Sequence, residues 1–447
     1  MSDINTNTVH TGDAFEVLAE LPADTVHAVV TDPPYAEGDY DGFMGRSWDS
    51  FDGPRAFQEW NQEWAELAKR VLKPGGHLLA FGSDDGHHRT ACGIEDAGFE
   101  IRTHINWIYG SGFPKALDVS KAIDKAAGAE REVVGEYVAP DGNKRWGGRL
   151  EGEYESEDYG QYDGDATKQT APATDAAEKW DGWKTALKPA TEFVVLARAP
   201  LSEGTVAENV QTHGTGALNI DGCRIDHDGD DLDGGATDPD SAANFKGGWH
   251  RDWMDDEEHV EQFAEEMKGK VEHAEENGRY PANVVFDEQA AEQLDREVGE
   301  LNSPKPYRDE SEPIDDELKY GDSRETGVGG GYGDSGGPSR YFYTSKATKA
   351  ERTLDGRIEN AHPTVKPADL MEWLVTLVSA EGQTVLDPFA GTRTTGRAAK
   401  DTGREFVLIE QDAKWADVAR VRCGLTPEDP SRVRDDDAQT GLEVFGE

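Results

Sequence analysis

Residues 26–30, an apolar run broken only by His27, end abruptly in Thr31-Asp32-Pro33-Pro34-Tyr35-Ala36-Glu37-Gly38. A short apolar run closed by turn residues reads as a buried strand. Two consecutive prolines cannot extend it, because each fixes φ and lacks a backbone N–H donor. The Asp32 carboxylate, the Pro33 carbonyl and the Tyr35 ring are therefore held with little freedom at the strand end, with Pro34 stiffening the turn between them. Two acceptors beside a flat face suit a planar ring that carries an exocyclic amino group, and an amino-bearing nucleobase meets both requirements.

The flanking pattern alternates strand and helix. Strands are expected at 4–10, 26–31, 77–81 and 99–109. Helices are expected at 14–21, 85–97 and 118–127, and over 57–71, where Phe57, Trp60, Trp64, Leu67 and Val71 line one face. This alternation predicts an α/β fold with a mostly parallel sheet covered by helices. Residues 192–197 (EFVVLA) read as a strand returning antiparallel beside 99–109, with an acidic insertion between them. Trp60 and Trp64 read as core, and His87-His88 as surface, since adjacent helical residues face apart.

A second informative stretch lies near the other end. Residues 384–396 read Thr-Val-Leu-Asp387-Pro388-Phe389-Ala-Gly391-Thr392-Arg393-Thr-Thr-Gly. Here a strand ends in an acid and a glycine-containing turn, and a helix begins near Thr394. Gly391 permits close backbone approach by a ligand, and the following helix N-terminus offers free N–H groups to a carboxylate. The next strand, 405–409, ends in Glu410, an acid placed to take ribose hydroxyls. An amphipathic helix at 368–379 precedes this stretch, and a further strand is expected at 340–346.

Composition sets the remaining bounds. The chain of 447 residues carries 91 acidic and 45 basic side chains, a net charge of −46. In ordinary cytoplasm that charge repels polyanions and strains a compact fold; at molar salt the Debye length falls to about 3 Å and both effects shrink. Because the acids are spread over the whole chain, a halophilic origin is expected. Cys92, Cys223 and Cys423 have no metal-ligand or disulfide spacing. No metal and no membrane span are expected, since no apolar run approaches the about 20 residues that cross a bilayer. A cytoplasmic protein follows.

Together the motifs TDPPY, HPTVKP (362–367) and VLDPFAGTRTTG resemble those of the amino-group DNA methyltransferases, which use S-adenosylmethionine to methylate adenine N6 or cytosine N4. With the catalytic motif first and the cofactor motif last, the order resembles the permuted β class, and parts of the middle resemble phage-associated members. The resemblance implies a Rossmann-like methyltransferase fold with a circularly permuted, seven-stranded sheet and a large inserted target-recognition region. It divides the chain into a catalytic half (1–117), an acidic insertion (118–184), a returning strand (185–200), a target-recognition region (201–339), a cofactor half (340–425) and an acidic tail (426–447). It implies that Asp32 and the Pro33 carbonyl accept hydrogen bonds from the target amine while Tyr35 stacks on a flipped base. Asp387, Pro388, Phe389, Gly391 and Thr392 would form the cofactor turn, Glu410 would hold the ribose, Asp13 would lie near the adenine end, and Thr364 and Lys366 would line the methionine side. Double-stranded DNA is the implied partner, for a monomer or homodimer, with a cognate restriction nuclease as a possible companion. The acid at position 32 tilts the target toward adenine; N4-cytosine methylation is the alternative. Arg393 departs from the family's usual glycine, which leaves open a catalytically silent DNA-binding relative.

Overall fold

The computed structural model describes residues 4–36, 50–110, 112, 116–136, 145–146, 149–150, 168–227, 257–302, 335–345, 366–391 and 394–433. Among these, nine strands form the main sheet: β1 Thr8–Thr11, β2 Val26–Thr31, β3 Leu72–Gly82, β4 Glu100–Ile108, β5 Thr191–Arg198, β6 Val284–Asp287, β7 Tyr343–Ser345, β8 Thr384–Asp387 and β9 Glu405–Glu410. Their spatial order is β1-β9-β8-β2-β3-β5-β4-β6-β7. Every pairing is parallel except the two made by β5, which runs antiparallel to β3 and β4. The return of 192–197 beside 99–109 is thus observed, and the same strand also closes against β3.

The sheet is buried on both faces, and the alternation of side chains shows it. Ala28, Val30, Leu79, Phe81, Val194 and Leu196 pack with one set of helices: α9 Ala368–Val378, α10 Thr394–Asp401 and α11 Ala413–Arg422. Val29, Leu78, Ala80, Val195, Ala197 and Leu386 pack on the other side against α1 Ala14–Glu20, α2 Pro54–Val71 and α3 His87–Asp96. Burial on both sides explains why these strands read as continuous apolar runs rather than alternating ones.

Nine strands, rather than the seven expected, reflect chiefly β6. Its four residues, VVFD, sit inside a polar stretch and are too short to declare themselves. Both β6 and the following α8 (Glu288–Val298) come from the region 201–339, so part of that region builds the main sheet. Residues 201–223 also dock on the core. In them α6 (Val206–His213) carries the buried Asn209, whose amide donates to the Pro74 and Thr215 carbonyls at 2.9 Å each and accepts from Ser202 N. Gly214 ends α6 in a left-handed cap. Helices α4 (Val119–Ala127), α5 (Asp175–Lys179) and α7 (Glu257–Asn277) complete the helical set among the described residues. Among the described residues no helix is long and apolar enough to cross a membrane. The acidic stretch 151–165, the tract 228–241 and residues 38–49 lie outside the described residues.

Chain order decides where a site can form. From β8 the chain crosses through α10 to β9 on one side, while from β2 it crosses through α2 to β3 on the other. The crevice between the carboxyl ends of β8 and β2 is therefore the switch point of the sheet, where open α/β folds bind ligands. C-terminal strands β8 and β9 lie between β1 and β2, which brings two stretches distant in sequence side by side.

Asn209→Ala leaves two buried carbonyls and one amide without their partner, and is expected to cost about 1–3 kcal/mol of unfolding free energy in denaturant titration. A loss below about 0.5 kcal/mol would show that this anchor does not hold residues 201–223 to β3.

Candidate active site

Thr31, the last residue of β2, is fully buried and donates its hydroxyl to Asp387 Oδ1 at 2.7 Å, across 356 positions of sequence. Asp387, the last residue of β8, also accepts from Thr395 Oγ1 at 2.6 Å and from the Phe389 amide at 3.1 Å. One carboxylate thus fastens two strand ends, the turn 388–391 and the first turn of α10. Burial pushes the Asp387 pKa up to about 6, against the pull of its three hydrogen bonds, and the nearby Asp32 adds to the rise.

Gly391 adopts φ +48°, and among the described residues beyond its chain neighbours a methyl group there would meet only the Phe389 carbonyl, at 4.0 Å. Its amide donates to Glu410 Oε2 at 2.9 Å, while Glu410 Oε1 accepts from the Asp412 amide at 2.8 Å. Burial raises the Glu410 pKa even though these bonds oppose it. Phe389 packs against Trp60 and Trp64, with ring centroids 5.3 and 5.5 Å away. Trp64 is therefore a core residue and Trp60 is partly buried against the same core, both bracing this turn, and Pro388 is buried. Asp13 caps α1, accepting from the Phe15 and Glu16 amides, one residue beyond Gly12, whose amide meets the Glu410 carbonyl.

Beyond the end of β2 the prolines lead to Tyr35 and to Ala36, which adopts φ +58°. Gly86 lies beneath it: a methyl group there would come within 3.0 Å of the Tyr35 carbonyl. The Tyr35 hydroxyl donates to Asp32 Oδ1 at 2.5 Å and lies 3.2 Å from Glu192 Oε2. It also accepts from Lys366 Nζ at 2.9 Å. That ammonium is 3.1 Å from Asp32 Oδ2 and 2.9 Å from Glu192 Oε2. Side-chain exposure is 6% for Lys366, 29% for Asp32 and 21% for Glu192. Burial alone would lower the Lys366 pKa, but the two carboxylates hold it above the usual lysine value. Burial raises the Tyr35 pKa and the same two acids add to it, so its hydroxyl stays protonated. The rings of Phe81 and Tyr35 flank the ammonium at 4.9 and 5.2 Å.

The structure brings Asp32, Tyr35 and Lys366 into one cluster and sets Asp387, Phe389, Gly391 and Glu410 in the adjoining turn, with Pro33 buried and Pro34 half-buried between. The Lys366 ammonium, expected along the methionine side, lies between the Asp32 and Glu192 carboxylates. Thr364, Thr392 and Arg393 lie outside the described residues. Sequence reasoning missed Thr31, Thr395 and Glu192. The available signal for Glu192 was an acid at the entry of an otherwise apolar strand. His87, expected at the surface, is half-buried and stacks on Phe193 at 3.9 Å, while His88 is exposed. All three cysteines are free, and among the described residues no three metal-ligating side chains converge.

Two neighbouring parallel strands thus end in an acid-proline-proline-tyrosine segment and in a glycine turn. A sequence model of the N6/N4 family, described as DNA methylase, matches residues 26–420, and the chain belongs to that family. The Type II methyltransferase M.HinfI of Haemophilus influenzae is 38% identical over 89 residues, 20% of this chain and 25% of the relative. M2.DpnII of Streptococcus pneumoniae is 38% identical over 80 residues, 18% of this chain and 28% of the relative. This chain thus matches about a quarter of the length of these curated relatives. Among solved structures, PvuII DNA methyltransferase (cytosine-N4-specific) aligns at 12% identity and TM-score 0.40, over 93% of this chain and 86% of the other. An M1.HpyAVI–SAM complex aligns at 14% identity and TM-score 0.38, over 94% and 99%.

A folded-state pKa near 6 for Asp387, against 3.8 for a free carboxyl, has a definite sign. Between these values the folded protein holds a proton that the unfolded chain has released, so stability falls as pH rises from about 4 to about 6. The gap corresponds to about 3 kcal/mol at most. Asp387→Asn removes this titration, so the stability of the natural protein relative to the variant is expected to decline over that range. A pH-independent difference in paired unfolding titrations would contradict the assignment.

Proposed function

We propose that this protein methylates the exocyclic 6-amino group of adenine in DNA, with S-adenosylmethionine as the methyl donor. The observation that carries the reading is the joint between Thr31 and Asp387, which sets the Asp32 platform beside the Gly391 turn. The residues fit the donor: among the described residues nothing crowds Gly391, the Glu410 carboxylate already gathers backbone donors of the turn, and Phe389 is braced by tryptophans. Asp387, Pro388, Phe389, Gly391 and Glu410 would hold it, joined by Asp13, Thr364 and Thr392. When bound, the cofactor supplies an electrophilic methyl carbon.

The chain's own residues do the rest. Among the described residues each Asp32 oxygen has one side-chain partner, Tyr35 or Lys366, and a carboxylate offers about four acceptor sites, so each oxygen can take an amino N–H. The Pro33 carbonyl is the second acceptor. Together they orient the nitrogen lone pair, and Asp32 or water removes the proton that the nitrogen sheds. Tyr35 stacks on a base that has left the duplex, an extrusion costing a few kcal/mol. Its hydroxyl bonds lock the ring in place. Positioning dominates such a displacement. The acid excess of −46 supports the further proposal that the enzyme works in concentrated salt, where phosphate contacts weaken and stacking and base-edge contacts carry binding.

Nucleoside mass spectrometry of DNA treated with the protein and labelled S-adenosylmethionine, across a potassium chloride series, tests the reading. N6-methyladenine is expected, with activity retained at molar salt. N4-methylcytosine would replace adenine by cytosine as the target. Neither product at any salt, from a protein that still binds DNA, would favour a catalytically silent relative. A steep loss of activity toward molar salt would contradict the salt adaptation.

A further inference from the structure

The cluster at the end of β2 holds one more acid than its lysine requires. Asp32, Glu192 and Lys366 come from three separate stretches, yet the ammonium sits 3.1 and 2.9 Å from the two carboxylates, and the Tyr35 hydroxyl is within hydrogen-bond distance of all three. Their formal charges sum to −1. A buried lysine is neutralised by one carboxylate, and a surplus charge in a partly desolvated site is costly unless something matches it. Here the rings of Phe81 and Tyr35 flank the ammonium, and Asp32 also acts on the Asp387 carboxyl, which is itself pushed up to about 6. No described cation other than Lys366 is within salt-bridge distance of Asp32 or Glu192. The surplus is available to a cation that enters the site.

We propose that Glu192 is a positioning residue for methyl transfer: by neutralising Lys366 it leaves the negative charge of Asp32 to the cationic reaction centre. The inference rests on the methyltransferase reading above. In that reaction positive charge starts on the donor and passes to the amino nitrogen, so a site with net charge −1 favours both the donor and the transfer. With Glu192 made neutral, Lys366 pairs with Asp32 alone and the site becomes neutral overall. A unit charge several ångströms away, at the effective dielectric of a partly buried site, changes such a rate by roughly 10- to 100-fold.

The test compares the natural protein with Glu192→Gln, Glu192→Asp and the pair Glu192→Gln/Lys366→Met. Turnover on DNA is expected to fall about 10- to 100-fold in Glu192→Gln, with little change in KM for DNA. The double variant restores the net charge and is expected to recover most of that loss, while Glu192→Asp keeps the charge and stays within a few-fold of the natural protein. A second readout needs no turnover: calorimetry without DNA, comparing S-adenosylmethionine with S-adenosylhomocysteine, which lacks the positive charge. The preference for the charged ligand is expected to drop severalfold in Glu192→Gln and to return in the double variant. Losses that add in the double variant, or an unchanged preference in Glu192→Gln, overturn the proposal. If the natural protein neither binds S-adenosylmethionine nor methylates DNA, the underlying reading fails instead. Should Glu192→Gln not fold, as judged by thermal unfolding, the Glu192→Asp and double variants decide by the same criteria.

Discussion

The site depends on a single buried carboxylate. Asp387 receives hydroxyl donors from Thr31 and Thr395 and an amide from Phe389, and these three contacts fix the end of β2, the start of α10 and the turn between β8 and α10. Charge buried this deeply is tolerated only when it is well satisfied. The arrangement therefore does more than fill space. It sets the spacing between the Asp32–Tyr35 segment and the Gly391 turn, each at the carboxyl end of one of two neighbouring parallel strands.

A second cluster tunes what the first one places. Prolines 33 and 34 and the left-handed Ala36 stop β2 from running on, so Asp32 and Tyr35 project where an extended strand would have hidden one of them. Lys366 arrives from the segment just before α9, whose Leu370, Leu374 and Leu377 are anchored in the core. Glu192 arrives from the antiparallel strand β5. Three routes through the chain converge on one ammonium, and the rigidity of each route comes from apolar packing at some distance from the chemistry.

Much of this was legible in the sequence. The strands β2, β3, β5, β8 and β9 announced themselves as apolar runs closed by glycine, proline or an acid, because burial on both faces leaves no polar alternation to blur them. The two motifs were readable for the same reason, as polar breaks at the ends of such runs. Partnerships across the fold were not. Thr31 and Thr395 look like ordinary strand and helix residues until Asp387 is placed beside them, and Glu192 is one acid among 91. The pairing of Lys366 with Asp32 and Glu192 is of the same kind, since local sequence fixes a side chain's surroundings only within a turn or two. The short strand β6 escaped because four residues carry too little pattern against polar flanks.

The measurement that bears most directly on the account separates holding the cofactor from moving the methyl group. With Asp32→Asn, the affinity for S-adenosylmethionine by calorimetry is expected to stay within a few-fold of the natural value, while transfer to DNA falls by about 100-fold or more, the usual scale for losing a group that accepts a proton from the reacting atom. Transfer that persists at the natural rate, or cofactor binding lost together with transfer, would contradict the division of the site into an Asp32 platform and a Gly391 turn.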